Sequence, residues 1–398
     1  MLLDAQMRIA LMPSAYHPSI GGVEELTSKL ADELARAGNE VQVWTSRRDG
    51  DASPGLETVR GHLVRRSTFP APRMSVTALA GWGPAAWREL RHWRLAIEEF
   101  RPDVLHVQCF SSNGAYATVL SRWLGVPLIL TLQGETVMDD HDIYSHSVFL
   151  RSALRWGLRQ ASAVTACSQF VLDDASRRFG LPAEGGEVIF NGVSLQEVTA
   201  APLQLPFQRY VLGLGRVVPN KGFDLLLRAW AQIADRHPDV GLVIAGQGPQ
   251  VEPLRELADQ LGVTDRVQLA GVLGRPEVTW VMQNSELFVM PSRVEPFGIV
   301  VLEGWRAGTA VVASSTGGAP EFVRDGVDGL LADPLDLLGL AEALHTLLSD
   351  ETLRRRIATA GRDRVPEFAW SRIASQYVHV YERAMGGLPC RSDSRGHL

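Results

Sequence analysis

The chain alternates short apolar runs with longer amphipathic runs. The apolar runs are rich in Val, Ile, Leu and Ala, which is typical of strands that are buried on both faces. The amphipathic runs carry apolar residues at helical spacing, and several of them end at glycine. In the first half, strands are predicted at residues 8–12, 41–44, 104–107, 128–131 and 163–166, and helices at 23–37, 84–100, 116–124 and 148–160.

The same alternation restarts in the second half, where strands are predicted at residues 210–215, 241–246, 267–270, 287–290 and 310–313. Residues 191–206, between the halves, are polar, contain proline and lack periodicity, so they are predicted to be a linker. Strands that alternate with helices form parallel sheets with crossover connections. The pattern therefore predicts an α/β protein with two Rossmann-like doubly wound domains facing a central cleft, and a ligand site at the carboxyl ends of the strands.

Composition narrows the class of protein. The 398 residues are 45% hydrophobic and 21% charged, with a net charge of −6 and no long basic run, which indicates a globular chain and argues against nucleic acid as a partner. Cys109, Cys167 and Cys390 are far apart, which argues against a disulfide framework or a zinc site. Residues 1–13 do not resemble a signal peptide, and no apolar run is long enough to span a bilayer. A cytoplasmic location is expected.

The most informative segment contains Glu295 and Glu303, which are separated by seven residues. Pro296 biases Glu295 out of the helical region, whereas residues 299–305 are typical of the start of a buried helix. Backbone N–H groups at a helix start lack helical partners and favour an anion. An anion site with a carboxylate on each side suits a phosphorylated sugar, since amides bind phosphate and carboxylates bind hydroxyls.

This segment resembles the Glu-x7-Glu signature of retaining glycosyltransferases of the GT-B fold, family 4. Its flanks agree, with a buried strand at 287–290, Pro291-Ser292, and the later segments 317–321 and 325–331. The resemblance implies a retaining transferase that moves a hexosyl unit from a UDP- or GDP-linked sugar to an acceptor hydroxyl on a glycan, a lipid-linked molecule or a small molecule. It implies no cofactor beyond this donor and no metal.

The resemblance also implies the domain roles. Residues 1–195 are expected to bind the acceptor, and residues 196–365 the donor. A last helix at about 366–385 is expected to pack back on the first domain, and residues 386–398 are expected to be a disordered tail.

The loop after the predicted strand at 210–215 contains Arg216 and Lys221. A dinucleotide fingerprint would need glycine at position 218, where this chain has Val218, so a dehydrogenase is disfavoured. An arginine and a lysine at a helix entrance can clamp a diphosphate. Lys221 is one of only two lysines in a chain rich in arginine, the other being Lys29, which hints that a compact ammonium is needed there.

By the resemblance, Glu295, Arg216 and Lys221 are the candidate catalytic residues. Glu295 is expected to hold sugar hydroxyls, Glu303 the ribose, and the two cations the leaving diphosphate. The remaining donor contacts are expected from strand-end turns and helix starts, at Gly21, Gly22, Gly215, Gly246, Gly248, Val272, Phe297, Gly298, Ile299 and Glu303.

The chain departs from the family pattern in its first half. Relatives commonly carry His-Gly where this chain has Gln133-Gly134, and His-x-His where it has His106-Val107-Gln108. Glutamine keeps hydrogen bonding but has no charge switch. Glu135 is a candidate replacement. With Asp139, Asp140 and Asp142 it is predicted to form either an acidic rim for a polar acceptor or a solvated helix start, and a metal site there is disfavoured.

Two interpretations compete for the helix predicted at 84–100. Tryptophans near arginines, together with the stripe Arg151, Arg155 and Arg159, suit a membrane interface. Against this, Ala86, Leu90, Trp93, Ile97 and Phe100 follow a core-facing helical period. The core interpretation is favoured, so peripheral membrane association is the alternative.

Two other functions remain open at this stage. One is a nucleotide-sugar epimerase on the same fold, which needs titrating groups in the cleft and no acceptor. The other is a binding protein that has kept the fold without the activity.

Overall fold

The computed structural model describes residues 6–19, 21–47, 55–72, 76–138, 143–196 and 198–386. The chain forms two compact units, one comprising Met1–Phe190 with Trp370–Leu398 and the other Asn191–Ala369. The first division therefore falls at 190/191, where the sequence placed it at 195/196, and the second at 369/370, where the sequence placed it at 365/366.

Unit 1 is built on an eight-stranded sheet of order β3-β4-β2-β1-β5-β6-β7-β8, in which only the β3–β4 pair is antiparallel. β5 and β6 are buried at every position, as expected for central parallel strands with helices on both faces. The strands are β1 Arg8–Pro13, β2 Glu40–Ser46, β3 Gly55–Val59, β4 His62–Ser67, β5 Val104–Gln108, β6 Leu128–Leu132, β7 Ala163–Ala166 and β8 Glu187–Val188. The helices are α1 Gly22–Arg36, α2 Val76–Phe100, α3 Ser112–Leu124, α4 Ile143–His146, α5 Val148–Gln160 and α6 Gln169–Phe179.

Two features of unit 1 differ from the prediction. The β3–β4 hairpin was not predicted, because its strands carry many polar side chains; Arg60 and Gly61 form its two-residue turn, both at positive φ. Helix α2 begins at Val76 and contains Pro84, which the prediction took as the helix start. Proline is favoured in the first turn of a helix, so the presence of Pro84 led to a predicted helix start that is too late in the sequence.

Unit 2 is built on a six-stranded, fully parallel sheet of order β11-β10-β9-β12-β13-β14. Its strands are β9 Arg209–Leu214, β10 Val240–Ala245, β11 Val267–Gly271, β12 Leu287–Met290, β13 Ala310–Ser314 and β14 Leu330–Ala332. Its helices are α7 Phe223–Ala231, α8 Val251–Gln260, α9 Arg275–Gln283, α10 Ile299–Ala307, α11 Leu337–Ser349 and α12 Glu351–Arg364. Its core packs α7, α8, α11 and α12 against the sheet through residues such as Trp230 and Leu344.

The last helix, α13, spans Trp370–Gly386 and belongs to unit 1, where it packs against α1. Its buried tyrosines, Tyr377 and Tyr381, contact His106 of β5. The tail beyond Gly386 lies outside the described residues. Among the helices that are described, none combines the length and apolarity needed to cross a membrane.

Candidate active site

The topology of unit 2 sets the position of the candidate donor site. β9 and β12 are neighbours, but from β9 the chain continues through β10 to β11 on one side, and from β12 through β13 to β14 on the other. The loops that follow β9 and β12 therefore diverge, and they leave a crevice at the carboxyl ends of the strands. These two loops carry Arg216, Lys221 and Glu295, the three predicted catalytic residues.

An ion pair joins the two loops. The Lys221 ammonium lies 2.6 Å from Oε2 of Glu295, and the Ser292 hydroxyl donates to the same oxygen at 3.0 Å. Both partners are largely buried, so the pair is screened less than a surface salt bridge. Lys221 ends a short 3-10 turn, Pro219–Lys221, which is capped by Gly222 at φ +67. The two residues, 74 positions apart in the sequence, therefore meet at one point of the crevice.

A second ion pair in the same place was not predicted. The Arg293 guanidinium binds the Asp224 carboxylate with two parallel hydrogen bonds of 2.7 and 2.6 Å and also donates to the Pro219 carbonyl at 2.7 Å. Burial works to raise the pKa of Asp224, but the hydrogen bonds and charge of Arg293 outweigh it and lower that pKa below its usual value. Arg293 lies two residues before Glu295, and Asp224 lies three residues after Lys221. Each is close in sequence to a predicted site residue, but no local pattern indicated that the two would pair.

Glycines hold the Glu295 loop by close backbone contact. A Cβ on Gly222 would lie 2.0 Å from the Pro291 carbonyl oxygen, and one on Gly317 would lie 2.1 Å from the Glu295 carbonyl oxygen. Both glycines have positive φ, which L side chains rarely adopt. The loop that carries Glu295 is therefore enclosed by backbone from two sides, and its geometry is fixed by packing.

The turns after β9 and β10 also pack backbone on backbone. A Cβ on Gly246 would lie 1.8 Å from the Gly215 carbonyl oxygen, and one on Gly248 would lie 2.2 Å from the Val217 carbonyl oxygen. Gly215 and Gly246 both have positive φ. The predicted glycines are thus required by the chain's own packing, whether or not a ligand also approaches them. Arg216, between these turns, is exposed.

A pocket of about 300 Å³ lies beside these turns, at the carboxyl ends of β9, β10 and β11. Gly246 and Val272, two of the residues predicted to contact a donor, line this pocket, and Val272 is 70% exposed, so its side chain is accessible to a ligand. The other lining residues are Val217, Ile244, Gln247, Val251, Arg255, Leu269 and Gly271. Its volume is at the lower end of the range for small-molecule sites.

The start of α10 has the geometry expected of an anion site. Gly298 caps the helix at φ +99, and Ile299 is its first residue, so the first N–H groups have no partner within the helix. The Phe297 ring is buried against Phe322, with ring centroids 4.7 Å apart. Phe297 can therefore offer a ligand only its backbone. Glu303 is partly buried on α10, about one turn inside the helix.

Gly21 and Gly22 lie in unit 1, at the start of α1 and the carboxyl edge of the sheet. Gly21 is extended, and a Cβ on it would meet only the carboxylate of Glu24, at the far end of a flexible side chain. Among the residues that the structure describes, a Cβ on Gly22 would meet nothing within 4 Å. Packing among these residues therefore does not require glycine at either position.

The structure accounts for the two glutamines that depart from the family pattern. Gln133 donates to Gln108 at 3.0 Å, and Gln108 lies 3.0 Å from Nε2 of His106, whose Nδ1 lies 2.7 Å from the Tyr381 hydroxyl. Burial lowers the pKa of His106 to about 3, so the imidazole is neutral, with Nε2 as acceptor and Nδ1 as donor. We call this hydrogen-bonded chain the glutamine relay; it runs from the sheet edge to α13.

Glu135 lies beside the relay. Its carboxylate accepts hydrogen bonds from the backbone N–H of Phe110 at 2.5 Å and of Gln133 at 2.7 Å. Burial raises the pKa of Glu135 to about 7, against the opposing effect of these N–H groups. Glu135 therefore holds together the loops after β5 and β6. The other members of the predicted acidic rim, Asp139, Asp140 and Asp142, lie outside the described residues.

Comparison with known proteins identifies the family. The pattern of the family "Glycosyltransferase Family 4" matches residues 20–197, and that of "Glycosyl transferases group 1" matches residues 202–364. A phosphatidyl-myo-inositol mannosyltransferase of Mycolicibacterium smegmatis is 30% identical over 387 residues, which cover 96% of this chain and 95% of the relative. A glycogen synthase of Mycobacterium tuberculosis is 29% identical over 405 residues, which cover 96% of each chain.

The fold agrees with these matches. The Anabaena protein HepE, solved in complex with UDP and glucose, superposes with a TM-score of 0.73 at 24% identity and covers 95% of this chain and all of that one. Together with the two parallel-sheet units, this confirms the predicted GT-B architecture. The chain belongs to glycosyltransferase family 4 and is a glycosyltransferase.

Proposed function

We propose that this chain is a retaining glycosyltransferase that moves a hexosyl unit from a nucleoside-diphosphate sugar to an acceptor hydroxyl. The observation that carries the proposal is the 2.6 Å ion pair between Lys221 and Glu295 at the switch point of the unit 2 sheet. It joins a phosphate-binding cation to a carboxylate that can accept hydrogen bonds from sugar hydroxyls. Such a pair suits a ligand that carries both groups.

The donor would lie along the carboxyl edge of unit 2. The pocket beside Gly246 and Val272 would take the nucleoside, the N–H groups at the start of α10 would face the diphosphate, and Glu303 would hold the ribose. An ammonium has three donors, so Lys221 keeps two for phosphate while one stays with Glu295. The HepE complex with UDP and glucose and the sugar-transferring relatives support this donor class.

The chemistry would rest on charge stabilisation and positioning. As the bond from the sugar to the diphosphate breaks, negative charge grows on the leaving oxygens, and Lys221 and Arg216 would stabilise it without a metal ion. Glu295 would hold the sugar while positive charge develops at the anomeric carbon. By family analogy, the acceptor attacks from the face that the diphosphate leaves, and a leaving phosphate oxygen takes its proton. This course retains the anomeric configuration.

A binding screen tests the donor class. UDP, GDP and their glucose and mannose derivatives would be titrated calorimetrically into the wild-type chain and Lys221→Ala. We expect one nucleotide series to bind the wild type, and the diphosphates to bind the variant at least tenfold more weakly. Absence of binding by every compound would contradict the proposal.

Product analysis separates the remaining alternatives. With a bound donor, proton NMR would follow the anomeric signal with and without candidate acceptors, such as simple glycosides. A retaining transferase gives an α-linked product from an α-linked donor. An inverted product would contradict retention, an epimerised donor formed without acceptor would indicate an epimerase, and binding without turnover would indicate a binding protein.

A further inference from the structure

Unit 1 contains a groove that plays no part in the proposed donor site. It has a volume of about 360 Å³ and lies between α2, α3 and α5. We call it the α2–α3–α5 groove. The side chains that determine its character are Trp82 and Leu90 of α2, Tyr116 and Val119 of α3, and Phe149 and Trp156 of α5.

The walls of the groove are hydrocarbon and ring faces. The indole N–H of Trp82 donates to the Pro70 carbonyl at 2.9 Å, and the Tyr116 hydroxyl donates to the same carbonyl at 3.0 Å. The polar atoms of these two lining side chains are therefore satisfied outside the groove, and most of the remaining lining is hydrocarbon or ring. A cavity lined in this way holds water poorly and favours an apolar occupant.

The groove begins at the sheet edge where the acceptor is expected. α3 follows β5, and α5 ends at Gln160 just before β7 begins at Ala163, so both helices start on the side of the carboxyl edge of the unit 1 sheet. Phe149 lies in the first turn of α5 and Tyr116 in the second turn of α3. Ile143 and Val148, just before Phe149 in the sequence, are exposed apolar side chains, and Gln133 and Glu135 follow β6 at this edge.

Ring pairs contribute to the apolar character of the groove. Towards the carboxyl edge, the rings of Trp82 of α2 and Phe149 of α5 lie 5.8 Å apart, and both line the groove. A second ring pair, Trp87 of α2 and Trp123 of α3, stands 5.9 Å apart at the other side. From Trp82 to Leu90, α2 rises about 12 Å. A mainly apolar lining around this volume suits an alkyl or isoprenoid chain better than a sugar.

We propose that the α2–α3–α5 groove binds the apolar chain of an amphiphilic acceptor, whose polar end then lies at the carboxyl edge of unit 1. The inference rests on the proposed transferase function for the identity of the occupant as acceptor. It explains why the helical period of α2 is core-like at Trp93, Ile97 and Phe100, which are buried, whereas Ala86 and Leu90 of the same stripe line an open groove.

A chain-length series tests the proposal. Methyl, butyl, hexyl and octyl β-D-glucosides, each below its micellar concentration, would be titrated calorimetrically into the full chain. Each added methylene is expected to lower Kd by up to about fourfold, because burying one CH₂ contributes about 0.8 kcal/mol and 1.4 kcal/mol is a factor of ten. The gain should stop when the groove is filled. Equal affinity of the methyl and octyl compounds, or no binding of either, would overturn the proposal.

A matched pair of variants locates the chain. Ser152 is exposed on α5 at the groove, so Ser152→Phe should fill the groove and leave the fold intact. Ala35→Phe places the same ring on an exposed position of α1, away from the groove. The first variant is expected to weaken octyl glucoside binding at least tenfold, and the second to leave it unchanged. Unchanged binding in Ser152→Phe would place the chain elsewhere and refute the proposal.

Two further arms separate the possible failures. Phosphatidylcholine vesicles would be tested by flotation; binding to vesicles without binding of monomeric octyl glucoside would show a membrane-facing surface and overturn the groove site. UDP and GDP would be titrated into the same preparations. If a nucleotide binds and octyl glucoside does not, the groove inference fails and the transferase function stands. If the glucoside series binds and no nucleotide does, the chain site stands and the proposed donor fails.

Discussion

The carboxyl edges of the two sheets are built on different principles. In unit 2 the edge is charged, and glycines fix its shape by touching backbone carbonyls, as at Gly246 and Gly317. In unit 1 the edge is held by side-chain hydrogen bonds of the glutamine relay and Glu135, and among the described residues Gly21 and Gly22 contact little. The difference teaches that backbone packing fixes the shape of one edge, whereas side-chain hydrogen bonds hold the other, which a substitution can alter without a backbone clash.

The largest effect is expected from a substitution at the charged edge of unit 2. Lys221→Ala should lower turnover by about 10²- to 10³-fold, because it removes one of the two cations assigned to the leaving diphosphate. Steady-state rates with the donor found by the binding screen would measure this loss. The second lysine, Lys29, pairs with Asp32 on α1, so Lys29→Ala is the matched control and should turn over normally. Wild-type turnover in Lys221→Ala would mean that this edge does not carry the chemistry.

The next effect compares glycines of the two edges. Gly246→Ala should destabilise the fold by about 2 kcal/mol or more, since its φ is +141 and the new Cβ would meet the Gly215 carbonyl. Gly22→Ala should change stability by no more than about 0.5 kcal/mol, because its Cβ meets open space. Thermal unfolding of both variants measures the contrast. If Gly22→Ala is folded but weak in turnover, its glycine serves a ligand; equal destabilisation of both would remove the distinction drawn here.

A smaller effect concerns the fork that joins the unit 2 loops. Arg293→Lys keeps the charge but loses the paired hydrogen bonds to Asp224, and should cost about 1 kcal/mol, since both side chains are about one-third exposed. Donor affinity should also fall, because the loop carries Glu295. Calorimetric titration alongside thermal unfolding would measure both. Arg275→Lys, on an exposed residue of α9, is the control. A variant that loses neither stability nor affinity would show that the fork is dispensable.

The smallest effect is a pH dependence in unit 1. The folded chain keeps the Glu135 pKa near 7, above the ordinary value of 4.5, so it binds a proton that the unfolded chain releases. The stability from this group is therefore complete below about pH 4.5 and is lost as the pH rises through 7. The Glu135→Gln side chain cannot titrate. As the pH rises from 5 to 8, the thermal midpoint of this variant should therefore rise relative to that of the wild type. A constant difference across this range would contradict the raised pKa. His106, with a pKa near 3 against an ordinary 6.5, lowers the stability of both proteins alike as the pH falls below about 6.5, so its contribution cancels from their difference.

The sequence predicted the structure well where the local pattern of residues also determines their tertiary contacts. Strand periodicity predicted β9 and β12, and Lys221 and Glu295 lie in the loops that follow these two strands. The Arg293–Asp224 fork joins residues 69 positions apart, and the relay joins His106 to Tyr381 across 275, so no local pattern could indicate either. The β3–β4 hairpin was not predicted because its strands lack the run of apolar residues that is typical of buried strands. The pocket beside Val272 depends on the packing of α8, which periodicity does not give.

The position of α13 has a consequence for how the chain matures. Unit 2 is one continuous stretch, Asn191–Ala369, whereas unit 1 needs Trp370 onwards to complete its core. Until those residues leave the ribosome, the hydroxyls and imidazole that Tyr377 and Tyr381 cover on β5 and β6 stay open to water. Unit 1 can therefore complete its core only after unit 2 has been synthesised. A chain cut after Ala369 would keep all of unit 2 but would lack the helix that covers β5 and β6 of unit 1.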